Sequence, residues 1–123
     1  METPPWFADA LKDALKDVKK DLNDIKTDVA ALKKISVKTQ QLAAKAYNLQ
    51  CGDGVGREYE ELVFRDGKAP SETNLPPLTR RNDIETLTAD QSRLYYTGYK
   101  AGDIPGHAAR LAFIKKFVGC TVP

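Results

Sequence analysis

Chemistry-bearing residues are scarce in this sequence. Its 123 residues include one histidine, two cysteines, one tryptophan and one methionine. Cys51 and Cys120 stand too far apart for a CxxC metal or redox motif, and two cysteines cannot make a four-cysteine zinc site. His107 has no cysteine nucleophile or metal-binding residue beside it, and no HExxH, GxSxG or kinase-type set occurs. The sequence therefore predicts no catalytic residue, no cofactor and no metal. An enzyme whose site forms between subunits is the weakest of the three function classes weighed.

Long apolar runs are also missing. None approaches the roughly 18 to 20 residues that a membrane span requires. The start, from Met1 to Trp6, has neither a basic nor an apolar segment of the secretory kind, which predicts a cytoplasmic or nuclear protein. An excess of one charge is absent too: 19 Lys and Arg face 17 Asp and Glu, for a net +2. So balanced a total argues against nucleic acid as the partner. The distribution is less even, because Arg110, Lys115 and Lys116 follow Pro105 with no acid among them.

The first third of the chain carries a strict pattern. Leu11, Leu15, Val18, Leu22, Ile25, Val29 and Leu32 recur in alternating steps of four and three, a heptad seam with no Gly or Pro inside it. Leu15, Leu22 and Val29 take position a. Leu11, Val18, Ile25 and Leu32 take position d. The pattern predicts a coiled coil over 8–35, within a long helix that fills the segment 1–50 and leaves a small helical domain at 51–123.

The flanking charges choose an orientation. Lys12, Lys19, Lys26 and Lys33 fill the e positions, and Asp21 and Asp28 stand at g. In a parallel pair Asp21 meets Lys26 and Asp28 meets Lys33 of a neighbouring chain, whereas antiparallel pairing sets lysine against lysine. Each exposed pair contributes only about 0.2 to 1 kcal/mol, but orientation follows the difference between attraction and repulsion. β-Branched Val18 and Ile25 at d favour a self-assembled trimer or tetramer over a dimer. The competing reading packs the same stripe on the chain's own C-terminal part. Past Leu32 the phase slips to Ile35, Leu42 and Leu49, and the helix face over 35–50 is expected to turn towards the small domain.

Helix-ending glycines follow Cys51. Their GxGxG spacing follows a helix and lacks the Lys-Ser/Thr ending of a phosphate loop. Glu58–Phe64 is the one stretch that reads as a strand, with Arg65–Lys68 as a turn behind it, so at most one short hairpin or edge strand is expected in a mainly α fold. Residues 69–78 form a proline-rich connector. Asn82–Glu85 reads as a short helical turn, and Thr88 with Gln91 forms a capping box for a second helix. Pro105-Gly106 opens a last helix over about 107–118, stopped by Gly119.

Three features invite a role. Tyr95, Tyr96 and Tyr99 read either as core or, with Arg110, Lys115 and Lys116, as a partner surface for an unidentified protein or a nucleic acid. Cys51 and Cys120 are expected as free thiols in a reducing compartment. A disulfide between them, closing a loop of roughly 70 residues, is the alternative.

From Val63 to Cys120 the chain resembles a small fungal family, mainly basidiomycete, that carries the C-terminal domain of a meiotically upregulated fission-yeast protein. Phe64–Pro70, Asn74–Leu78, Ile84, Leu87-Thr88, Tyr95–Tyr99 and Gly119-Cys120 carry the resemblance. It implies a fungal, intracellular protein with a long helix ahead of the domain, and it transfers no activity. The function expected from the whole sequence is a homo-oligomeric interaction or scaffold protein without catalysis; a nucleic-acid-binding or regulatory protein is the alternative.

Overall fold

A computed structural model describes residues 4–121. The protein is mainly α. Helix α1 spans Pro5–Leu49, a single 3-10 turn covers Pro70–Thr73, and three short helices follow: α2 over Arg81–Glu85, α3 over Ala89–Tyr99 and α4 over His107–Val118. The chain divides into two units after Lys34, so the last part of α1, from Ile35, belongs with the C-terminal unit.

Within that unit α1 turns one face inward. Val37, Ala44 and Asn48 are buried, and Gln41 is half-buried. These positions are three or four residues apart or sums of such steps, hence one stripe of the helix. Ile35, Leu42 and Leu49 are exposed instead. The sequence predicts docking through 35–50 on these large apolar residues, but they do not form the inward face. Smaller side chains do, because Ala44 and Asn48 let other backbone approach the helix. Gly119, the C-cap of α4, shows how near that approach is. Its φ of 101° belongs to the left-handed region, and a Cβ there would lie 2.7 Å from the Lys45 carbonyl oxygen. Only glycine meets both demands without strain.

The expected strand is not formed: among the described residues there is no β-structure, and Glu58–Phe64 is extended without a ladder. A strand needs a second strand, and the described residues offer none. One backbone bond, Tyr59 N to Thr79 O at 2.8 Å, and several side chains meet its backbone requirement instead. The Asn48 amide donates to Glu60 O at 3.0 Å and accepts from Glu60 N at 2.7 Å. Gln41 Nε2 donates to Val63 O at 2.8 Å, and the Tyr99 hydroxyl to Leu62 O at 2.9 Å. The turn behind it does close, with Gly67 N on Phe64 O and Phe64 N on Lys68 O.

Helix α3 begins as the sequence predicts. Thr88 Oγ1 accepts from Gln91 N at 3.2 Å and Gln91 Oε1 accepts from Thr88 N at 3.0 Å, a closed capping box. Helices α3 and α4 pack together. Their inner faces and Leu62, Phe64, Leu75, Ile84 and Leu87 build the core. Phe64 sits edge-on to Tyr95 and Tyr99, and Tyr99 stacks on Phe117 at 4.6 Å between centroids. Such pairs add about 0.5 to 1.5 kcal/mol each beyond the area they bury.

Candidate functional site

The N-terminal unit presents its heptad residues to solvent. Leu11, Leu15, Val18, Leu22, Ile25, Val29 and Leu32 are all more than half exposed, from 51% at Leu22 to 64% at Leu32. In the C-terminal unit, by contrast, Leu62, Ile84 and Ile114 are 0–2% exposed. The composition of the seam and its environment therefore disagree. Covering the exposed half of each side chain would release roughly 1 kcal/mol per residue, taking half of the value for full burial. Asp21, Lys26, Asp28 and Lys33 flank the stripe and are themselves exposed.

The other candidate surface does not form. Tyr95, Tyr96 and Tyr99 are 1–5% exposed and Arg110 is 6% exposed, so these four are core residues and not a partner surface. Burial pushes the Tyr95 and Tyr99 hydroxyls up from their ordinary range, leaving them neutral donors, to Pro76 O and Leu62 O. Lys115 is bound to Glu85 at 2.7 Å, and this hydrogen bond draws the Glu85 carboxyl down. Lys116 alone of the six is exposed. The signal for Arg110 was present in the sequence: it lies four residues before Ile114 and eight before Val118, on the buried stripe of α4.

Arg110 is the centre of a buried polar cluster. Its guanidinium donates to Ser92 Oγ at 2.9 Å, Pro105 O at 2.7 Å and Ala89 O at 3.3 Å. Ser92 Oγ also lies 2.9 Å from His107 Nδ1. A serine beside a histidine resembles a nucleophile and its base, but Ser92 is 0% exposed, closed off from solvent. Ser92 Oγ accepts from Arg110 Nε, and its one proton has two acceptors at 2.9 Å, Ala89 O and His107 Nδ1, between which the His107 tautomer decides. The cluster fastens the chain around Pro105 to α3.

Asn48 was missed by sequence reasoning, though its spacing from Ala44 and Val37 places it on the inner stripe. Besides Glu60, its amide donates to Val118 O at 2.8 Å, joining α1, the extended segment and the end of α4. Cys51 and Cys120 are both buried nearby, with no disulfide between them. Tyr59 lies between their segments, its hydroxyl donating to Gly52 O. Burial, and then the hydrogen bond with Cys120, raises that phenol above its ordinary range.

Asp83 shows a pH-sensitive contact. Burial alone would raise its carboxyl, but hydrogen bonds from the Thr79 hydroxyl and from the Thr79 and Arg80 backbone outweigh this and lower it. Thr79 Oγ1 lies 2.6 Å and Thr79 N 2.9 Å from Asp83 Oδ2. A depressed carboxylate contributes stability above the ordinary aspartate range, near pH 4, and loses it as pH falls through the folded value below that. Wild type is therefore expected to lose urea resistance between about pH 5 and pH 3, and Asp83→Asn to lose less over the same interval. Equal slopes for the two proteins would remove Asp83 from the account.

An open groove of about 610 Å³ is lined by Phe64, Arg65, Leu75, Leu94, Thr97 and Gly98. Arg65 Nη2 donates to Thr97 O, at 2.8 Å. Among the described residues no group of three His, Cys, Asp or Glu side chains could hold a metal ion, and no helix is long and apolar enough to cross a membrane.

Residues 46–121 match the family described as Mug135-like, C-terminal domain. The match begins in the last turn of α1, ahead of the Val63–Cys120 stretch that carries the resemblance in the sequence. It takes in Asn48 and the whole of the segment that Asn48 holds. No curated protein matches the chain.

Proposed function

The chain belongs to the Mug135-like C-terminal domain family, and from that premise we propose that it is a non-enzymatic, homo-oligomeric interaction or scaffold protein. Parallel self-association over residues 8–35 sets several copies of the small domain side by side for a protein partner. One observation carries the reading: seven apolar residues in unbroken heptad spacing are all more than half exposed, in a protein whose C-terminal unit buries Leu62, Phe64, Ile84 and Ile114 in a core. A monomer has no physical reason to keep such a stripe in water. The charges fit the same assembly, with Asp21 against Lys26 and Asp28 against Lys33 of the next chain. Val18 and Ile25 at d favour three or four strands. The nucleic-acid alternative is less supported, because the tyrosines and Arg110 are buried and of the basic last helix only Lys116 is exposed among the residues it named.

Light scattering on wild type and Leu22→Asp tests the proposal. At micromolar concentration wild type should show the mass of three or four chains. Placing one carboxylate per chain in the seam should cost about 3 kcal/mol or more per chain and return the mass to a monomer. Near-ultraviolet circular dichroism of the tyrosines, all in the other unit, should not change. A monomeric wild type, or a variant of unaltered mass, overturns the assignment.

A further inference from the structure

We infer that self-association does not stop at Leu32 but continues through the C-terminal unit's own part of α1, over Ile35–Leu49, with a second copy of the same segment as the occupant. The inference rests on the proposed coiled coil and extends it.

Ile35, Leu42 and Leu49 are 61, 56 and 46% exposed, and Thr39 and Ala46 between them are exposed as well. The five are separated by steps of four, three, four and three. At 3.6 residues per turn they fall within roughly 80° of the helix circumference. Val37, Ala44 and Asn48, which meet the rest of the unit, lie roughly opposite. This segment therefore has two working faces. One is covered by its own domain, and the other is an apolar stripe with the same spacing as the seam before it.

The sequence joins the two stripes with a single irregularity. Val29 to Leu32 and Leu32 to Ile35 are both steps of three, the signature of a stammer, which overwinds a coiled coil locally and then lets the heptads resume. In the resumed frame Ile35, Leu42 and Leu49 take d, and Thr39 and Ala46 take a.

Charge selects the occupant and its direction. Lys38 and Lys45 stand at g in this frame, while Ser36, Ala43 and Gln50 stand at e. In a parallel pair Lys38 faces Ala43 and Lys45 faces Gln50 of the neighbour, with no like charges opposed. Antiparallel pairing brings Lys38 onto Lys45. A second copy in parallel register therefore satisfies this stripe by the rule that satisfies residues 11–32.

Cysteine cross-linking of the full chain tests the extension. Leu22→Cys, Leu42→Cys and Gln40→Cys would each be treated with a short bis-maleimide and compared with wild type, whose own thiols are buried. In-register neighbours hold the Leu22→Cys and Leu42→Cys thiols together at an effective millimolar concentration, so both should give roughly tenfold or more covalent dimer over wild type. Gln40→Cys, exposed but off the stripe, should stay near wild type. Linking at Leu22→Cys without linking at Leu42→Cys overturns the extension and leaves the shorter coiled coil standing. So does equal linking at Gln40→Cys and Leu42→Cys, which would mark the contact as unspecific. Failure at both Leu22→Cys and Leu42→Cys removes the coiled coil itself, and the extension with it.

Discussion

Asn48→Leu is expected to lower the stability of the C-terminal unit by about 2 to 4 kcal/mol, measured by urea denaturation at one fixed protein concentration. Asn48 is 0% exposed, and its amide makes three hydrogen bonds, two as donor and one as acceptor. Leucine fills a similar volume, so the loss comes mainly from backbone groups left without partners. Val118 O is the most buried of these, and Glu60, at the edge of the unit, can recover part of its hydrogen bonding from water. Asn48→Asp separates this account from a packing effect. The carboxylate still accepts from Glu60 N but now opposes two carbonyl oxygens, so it should be the worse variant at neutral pH. It should improve as acid protonates it and restores one donor. A pH-independent penalty equal to that of leucine would mean that the amide's donors contribute little.

The second large effect is expected at Gly98. Alanine in a helix interior normally stabilises by about 1 kcal/mol relative to glycine. Here the sign should reverse. A Cβ on Gly98 would stand 2.4 Å from Phe64 Cδ1 and 2.6 Å from Cε1. Phe64 is confined on its core side, where it is 6% exposed with Tyr95 and Tyr99 against it. Overpacking of this kind costs about 1 to 3 kcal/mol, so Gly98→Ala should lose about 1 to 2 kcal/mol net. In a Phe64→Leu background the clash is gone, and the same substitution should be neutral or stabilising. The coupling between the two sites, read from the double-mutant cycle, decides the matter. Additive effects would show that the ring moves freely.

How far these residues were legible in the sequence depends on the range of the interaction involved. The seam from Leu11 to Leu32 and the Thr88–Gln91 cap are local patterns, readable within a few turns of one helix. Glu58–Phe64 has strand-forming residues, but its backbone is held by Asn48, Gln41 and Tyr99, which lie 12, 22 and 37 residues from the groups they bind. No window of the sequence contains both sides of those bonds. Arg110 was read from its charge as surface although its spacing put it on the inner face of α4. The residues that satisfy its guanidinium, Ser92, Ala89 and Pro105, belong to α3 and the loop before α4. Ile35, Leu42 and Leu49 were assigned to the wrong face because size was taken as the mark of burial. The close backbone approach recorded by Gly119 favours small side chains there.

The bond from Asn48 to Val118 O also orders events in time. It spans 70 residues, so at about 5 to 20 residues per second Asn48 leaves the peptidyl-transferase centre roughly 4 to 14 s before its partner is made. Through that interval the C-terminal unit lacks the end of α4 that closes it, whereas the seam ahead of it is already synthesised and depends on none of the residues still to come. Chains growing on neighbouring ribosomes of one messenger could thus align their N-terminal helices before any of their domains close. Assembly would then precede the folding of the part that is assembled.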